Sequence, residues 1–199
     1  MVWARGHQSD WEHFAEEAGD DAWGYRAVLG IYRRIENWRG LPDPIRRGKG
    51  GPVNVETPPH PQPVAIAMVE AAKALGMPTF DSPNGVMMEG RGGVALNDLI
   101  VKAGRRSSIF RSYIFPKLGQ PNLTVMINAQ VSKLVFNGTT VVGVDVLQGG
   151  RHVRITAERE VILSMGAINT PKLLMQSGIG PEDELSRHGI KVIQSLPGV

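Results

Sequence analysis

The stretch Val161-Ile162-Leu163-Ser164-Met165-Gly166-Ala167-Ile168-Asn169-Thr170-Pro171-Lys172-Leu173-Leu174-Met175-Gln176-Ser177-Gly178-Ile179-Gly180 decides the fold. Its first three residues form a short unbroken apolar run, the pattern of a strand buried on both faces. A helix is expected from about Thr170. Asn169 or Thr170 can cap it, Pro171 suits the first helical position, and Leu173, Leu174 and Met175 supply a buried face that ends at Gly178. Gly166 and Ala167 leave room at the junction for close approach of backbone or ligand. A strand end that meets a helix N-terminus brings free amides and the positive end of a helix dipole together, which suits a phosphate or a polar cofactor. The same residues also serve a tight turn with nothing bound, and the local pattern leaves both readings open.

Upstream of this junction the apolar pattern has period 2. Leu123–Ile127 and Val131–Phe136 are rich in β-formers, Asn137-Gly138 is a type I′ hairpin signal, and Val142, Val144 and Val146 alternate along the next strand. After Gly149-Gly150, Val153, Ile155 and Ala157 alternate with polar residues, the pattern of a half-buried strand in an antiparallel meander. Taken from residues alone, Val131 is a plain core valine on its strand.

Before about Arg105 the texture is helical and irregular. Ser9 or Asp10 can cap a helix that runs through Ala18 to Gly19, with Trp11, Phe14, Ala15 and Ala18 on one face. A second amphipathic helix is expected between Asp21 and Arg39, carrying Val28, Ile35 and Trp38. Gly40–Gly51, with two prolines and four glycines, is a loop; Val53–Val55 could form a short strand before Pro58-Pro59, with a loop as the preferred reading. A third helix is expected over Gln62–Leu75, its face made by Val64, Met68, Ala71, Ala72 and Leu75. The glycine-rich stretch 79–97 is too long for a plain connector and is expected to wrap a ligand or another segment. The expected organisation is therefore 1–104 as a helical and loop region and 105–199 as a meander with a strand–helix junction, an α/β (α+β) mixture.

Composition narrows the function. The 199 residues are 42% hydrophobic and 21% charged, near globular averages, and contain no run long enough to span a bilayer. Lys and Arg number 22 against 19 Asp and Glu. Their short clusters, Arg33-Arg34, Arg46-Arg47-Gly48-Lys49 and Arg105-Arg106, do not form the continuous face that nucleic acid requires, so no nucleic-acid partner is expected. The lack of cysteine removes disulfides, thiolate nucleophiles, iron–sulfur clusters and Cys-ligated zinc. No residues stand at metal-ligand spacing. The start of the chain has no signal-peptide pattern, and the cytoplasm is the expected compartment.

Several segments together resemble the glucose–methanol–choline (GMC) family of FAD-dependent oxidoreductases. Gly166 through Gly180 is similar to the family's second signature, and Met1-Val2-Trp3-Ala4-Arg5-Gly6 resembles the end of the first. Asp81-Ser82-Pro83-Asn84-Gly85 resembles the family's Asp-x-Asn-Gly loop. Gly104-Arg105-Arg106-Ser107-Ser108, Tyr113, Pro121-Asn122-Leu123-Thr124-Val125 and Val131 fit the choline-dehydrogenase-like branch. The resemblance implies an incomplete FAD-binding dinucleotide fold with part of a substrate domain, the latter with FAD-covering segments within 1–104. It implies oxidation of a small-molecule alcohol by hydride transfer to FAD. It also implies that the backbone of Val131 contacts the adenine end of FAD, that Gly166 and Ala167 lie near the dinucleotide, and that Val2 lies near the flavin ring.

The chain departs from the family pattern in two places. It has no Gly-x-Gly-x-x-Gly after a strand, and Gly90-Arg91-Gly92-Gly93 is read as loop. The family's late histidine, with its His or Asn partner, would fall beyond Leu196-Pro197-Gly198-Val199, so no catalytic residue is expected here. The five histidines, His7, His13, His60, His152 and His188, show no visible pairing with a carboxylate, and His7-Gln8-Ser9-Asp10 reads as a helix entry. The expectation is a central fragment that is inactive alone; the alternative is a non-catalytic FAD scaffold or assembly module.

Overall fold

Imidazole and carboxylate side chains, rather than the expected Ser9 or Asp10 alone, start the first helix. In the computed structural model, which describes residues 2–199, helix α1 spans Gln8–Ala18. His7 Nδ1 accepts from the Ser9 amide at 3.1 Å while Asp10 Oδ2 accepts from the His7 amide at 3.0 Å. This is a reciprocal capping box. The chain divides into two compact units, Met1–Leu123 and Thr124–Val199, and each is described by itself.

In the first unit the expected second helix is shorter than its apolar pattern. Asp20 caps a 3-10 turn over Asp21–Trp23, and α2 covers Tyr25–Ile35. The next residues peel away as strand β2, Glu36–Trp38, which pairs in parallel with β3, Val53–Val55. The loop reading of Val53–Val55 is therefore corrected. Val53 and Val55 are fully buried and pack with Trp38, Trp3, Ile100 and Tyr113, and that burial outweighs the short length and the prolines nearby. Helix α3, Pro63–Ala74, forms as expected, yet Val64, Met68 and Leu75 are 68%, 67% and 79% exposed. Only Ala72 of its apolar set is buried within the unit.

A short first strand, β1 (Val2–Trp3), pairs antiparallel with β4, Asp98–Leu99. A hairpin follows, β5 (Val101–Lys102) with β6 (Arg105–Arg106). The unit ends after Leu123, later than the change of texture near Arg105. Ser107 N–H donates to Ile100 O at 3.1 Å and Tyr113 joins the Trp38 cluster, which hold this segment to the first unit.

The buried Tyr25 hydroxyl donates to Glu89 Oε1 at 3.0 Å. Burial, and then the Glu89 carboxylate, push this phenol up to about 12. A raised phenol favours folding while it stays protonated. That contribution is complete below pH 10, the ordinary tyrosine value, and is lost as pH rises from there through about 12. The Tyr25→Phe variant is therefore expected to lose less stability over that alkaline range than the parent, in denaturant titrations at stepped pH. Equal slopes for the two proteins would refute this.

The second unit contains the expected meander: β7 (Ala129–Asn137), β8 (Thr140–Gln148) and β9 (Arg151–Thr156), paired antiparallel in that order. Gly138 stands in the β7–β8 turn at φ 61°, and Gly149 and Gly150 in the next turn at φ 57° and 77°, backbone that glycine adopts without strain. Helix α4, Gly166–Gln176, packs on β7, and Leu134, Val146, Leu173 and Leu185 form the core. Strand β10 (Ile179–Gly180), helix α5 (Glu182–Arg187) and strand β11 (Gln194–Ser195) complete the unit, with β10 and β11 parallel.

Three expectations for this unit are corrected. Strand β9 is exposed along its whole length, with Val153 and Ile155 at 41% and 37%, because nothing in the unit covers its apolar face. Residues 161–163 form no strand, and Ile162 is 75% exposed. A strand of this kind needs neighbours for its amides and cover for both faces, and among the described residues none pairs with it. Residues 123–127 also stay outside the sheet for want of a partner. No described helix is long and apolar enough to cross a membrane.

Candidate functional site

The strand–helix junction lies beside a cleft in the second unit. Helix α4 starts at Gly166 itself, earlier than Thr170, and Pro171 sits inside it. Thr170 still acts at the helix start, since its hydroxyl accepts from the Met165 amide at 3.1 Å. Pro171 has no N–H, so the Ala167 carbonyl loses the helical donor it would otherwise have. Gly166 has φ 86°, and a side chain built there would meet nothing within 4 Å. The position combines a backbone conformation that favours glycine with open space in front of it.

Across from this end of α4, β7 carries a bulge at Ser132, between Val131, which faces Val146, and Lys133, which faces Asp145. A bulge re-aims side chains at the margin of a sheet. Together the two elements enclose about 460 Å³, walled by Val131, Met165 and Leu173 with Ser132, Asn169 and Lys172 at its polar edges. Ser177 fixes the far end of α4 to the sheet. Its hydroxyl accepts from Leu134 N–H at 2.9 Å and donates to the Leu173 carbonyl at 2.6 Å, wholly out of solvent.

Of the residues expected at a site, Val131 lines this cleft, whereas Gly166 and Ala167 do not line it and only follow the lining Met165 in the chain. Val2 belongs to the first unit, on β1, and is 51% exposed. Asn169, Lys172 and Ser132 were not foreseen. From the sequence Asn169 is only a candidate helix cap, and the bulge that exposes Ser132 has no signature in its own residues.

In the first unit, Asn84 joins the two segments Met1–Gly6 and Asp81–Gly85. Its side-chain amide donates to the Trp3 carbonyl at 2.7 Å and to Asp98 Oδ2 at 2.8 Å, and its Oδ1 accepts from the Arg5 amide at 2.8 Å. Behind it lies a buried ionic group. Glu36 Oε1 and Oε2 accept from Arg47 at 2.7 and 3.0 Å, Arg5 Nη2 lies 2.7 Å from Glu36 Oε2, and Arg47 Nη1 donates to Asp98 Oδ2 at 2.9 Å. Burial pushes the Arg5 guanidinium below its ordinary value, with Glu36 opposing the shift. The long loop therefore wraps another segment of the same chain, one of the two uses its length allowed.

Two of the five histidines make structural contacts. His7 caps α1 and its Nε2 lies 2.8 Å from the Gly90 carbonyl. His188 is paired after all, with Glu184 at 3.1 Å, one helical turn away on the exposed end of α5. His13, His60 and His152 are exposed. Among the described residues no group of His, Asp and Glu could hold a metal.

Comparison with known proteins gives one family. The profile described as GMC oxidoreductase matches residues 1–192. The mitochondrial choline dehydrogenase of Mus musculus is 37% identical over 199 residues, covering 100% of this chain and 33% of that protein. The crystal structure of pyridoxine 4-oxidase from Mesorbium loti superposes with a TM-score of 0.87 at 31% identity, over 100% of this chain and 38% of that one. An FAD-dependent oxidoreductase from Chaetomium thermophilum gives a TM-score of 0.83 at 29% identity, over 100% of this chain and 36% of that one. The chain thus spans about a third of the length of the relatives it matches.

Proposed function

The chain belongs to the GMC oxidoreductase family, and from that premise we propose that it carries parts of the FAD-binding and substrate domains of an enzyme that oxidises a small alcohol, choline-dehydrogenase-like in branch. The observation that carries this reading is the cleft lined by Val131, Met165 and Asn169, beside the start of α4, where Gly166 is left-handed with open space in front of it. The residues present fit the cofactor. An apolar wall of Val131, Met165 and Leu173 suits a planar ring, polar Ser132 and Asn169 suit its edges, and 460 Å³ suits one end of a dinucleotide rather than the whole.

When bound, FAD would accept the hydride from the CH–OH carbon of the alcohol. The tasks of this chain are to bind and orient. Val131 would hold the adenine end through its backbone, Gly166 and Ala167 would let the dinucleotide approach the first turn of α4, and Val2 would lie near the flavin ring. The described histidines cap helices or face solvent, so none is proposed as the base that takes the alcohol proton. On the resemblance, 105–199 is FAD-binding portion, and 1–104 combines substrate-domain and FAD-covering segments.

The test is equilibrium binding of FAD to the 199-residue chain, followed by flavin fluorescence. Saturable binding is expected, and Gly166→Val should weaken it at least about tenfold, since a β-branched residue at that φ is strained by ~1–2 kcal/mol and fills the approach. No reduction of the bound flavin by alcohols is expected from this chain alone. Absence of saturable binding, or an unaffected Gly166→Val variant, would overturn the cofactor reading. Steady turnover with an alcohol would overturn the expected inactivity. Binding without turnover is also what the scaffold alternative requires, and restored turnover in a longer polypeptide would separate the two.

A further inference from the structure

A second cleft, within the first unit, has a different chemistry. It lies between the β5–β6 hairpin and the π-helical turn Phe110–Ile114 and encloses about 370 Å³. Lys102, Arg105, Arg106 and Arg111 line it, and no carboxylate does. All four are exposed, and among the described residues none forms an ion pair, as holds for most of the 22 Lys and Arg of the chain; what sets the cleft apart is that it gathers them around one cavity.

The hairpin makes this arrangement unfavourable by itself. Lys102 and Arg105 are directly opposite in the register, and like charges placed across a ladder destabilise it. The cleft also has a hydroxyl pair. Ser107, 8% exposed, has its Oγ 3.4 Å from that of Ser112, and one hydroxyl hydrogen between them leaves the other free to donate. Guanidinium forks, an ammonium and a free hydroxyl hydrogen around one cavity form a set rich in donors and without a carboxylate. A tetrahedral oxyanion supplies what is missing, because it takes paired N–H donors from arginine and cancels the repulsion across the hairpin.

We propose that this cleft binds a single phosphate group, free or carried by a small phosphorylated molecule. A nucleic acid would need cations continued along a track of phosphates, whereas these four come from one hairpin and one turn. The site does not depend on the flavin reading, which concerns the other unit.

The experiment titrates the full chain with inorganic phosphate at constant ionic strength, following the arginine Nε–Hε signals by NMR and the heat by calorimetry. Sodium chloride serves as the control, and glycerol 3-phosphate as a second arm. Saturable phosphate binding confined to the signals of Arg105, Arg106 and Arg111 is expected. The double variant Arg105→Gln/Arg111→Gln should weaken it at least about tenfold, through the loss of two charge-assisted contacts. Arg33→Gln/Arg34→Gln, in a separate basic cluster, should leave it unchanged. Tighter binding of glycerol 3-phosphate assigns the site to a phosphorylated organic ligand, and equal binding assigns it to free phosphate. Shifts that chloride reproduces, or equal weakening by the Arg33/Arg34 variant, would reduce the effect to charge screening and overturn the proposal. Loss of FAD binding in Arg105→Gln/Arg111→Gln would overturn it too, because the cations would then belong to the cofactor site.

Discussion

Replacing Glu36 by glutamine is expected to lower the stability of the first unit by about 3–5 kcal/mol, a large share of the ~5–15 kcal/mol that holds a typical domain. The substitution preserves shape and removes one charge. Glu36 is 0% exposed and carries two arginines, Arg47 in a two-pronged contact and Arg5 at 2.7 Å, besides accepting from the Gly48 amide at 3.0 Å. With it neutral, Arg5 and Arg47 face Asp98 as the remaining carboxylate of the group, and an excess positive charge is left out of water. The residues tied together lie at positions 5, 36, 47, 84 and 98, so the loss would release β1, β2 and the 81–85 loop at once. Tryptophan fluorescence reads the result cleanly, since Trp3, Trp11, Trp23 and Trp38 all belong to this unit and Arg47 stacks on Trp38 at 3.5 Å. A denaturation midpoint equivalent to less than about 0.5 kcal/mol of change would show that the buried charges are not mutually dependent.

In the second unit the largest effect is expected at Leu173. It is 1% exposed, sits where α4 rests on β7 and forms one wall of the Val131 cleft. Leu173→Ala should destabilise the unit by about 2–5 kcal/mol, the usual range for a buried leucine whose surroundings relax only in part. The unit has few other buried apolar side chains to compensate, namely Leu134, Val146 and Leu185. Protection of the β7 and β8 amides against hydrogen exchange should fall accordingly, while the tryptophan signal of the first unit stays as it was. FAD binding should weaken in the same variant. Amide protection within about 1 kcal/mol of the parent would mean that α4 does not hold the sheet.

Much of the local structure was legible in the chain. Helix α1 ends at Gly19 and the meander turns at Gly138 and Gly149-Gly150, each where a glycine at positive φ was expected. The family resemblance was legible for a related reason, because its segments are contiguous runs of residue types. The cleft was only partly legible: the resemblance points to Val131 among its lining residues, whereas Asn169, Lys172 and Ser132 join it through a bulge and a helix start that local pattern does not show.

The sequence by itself determined where helices form, the hairpin turns and the order of the meander strands, though not every helix end, because caps, glycine conformations and apolar period act over a few neighbouring residues. The tertiary structure decided the rest. It made Val53–Val55 a buried strand by giving it Glu36–Trp38 as a partner, left 161–163 unpaired for want of one, and set Arg5, Arg47 and Asn84 around Glu36 and Asp98. It also gathered four cations with no carboxylate into one cleft. Strand pairing and charge compensation are settled by which distant residues meet in space, and the long loops between them leave that choice open until the chain has folded.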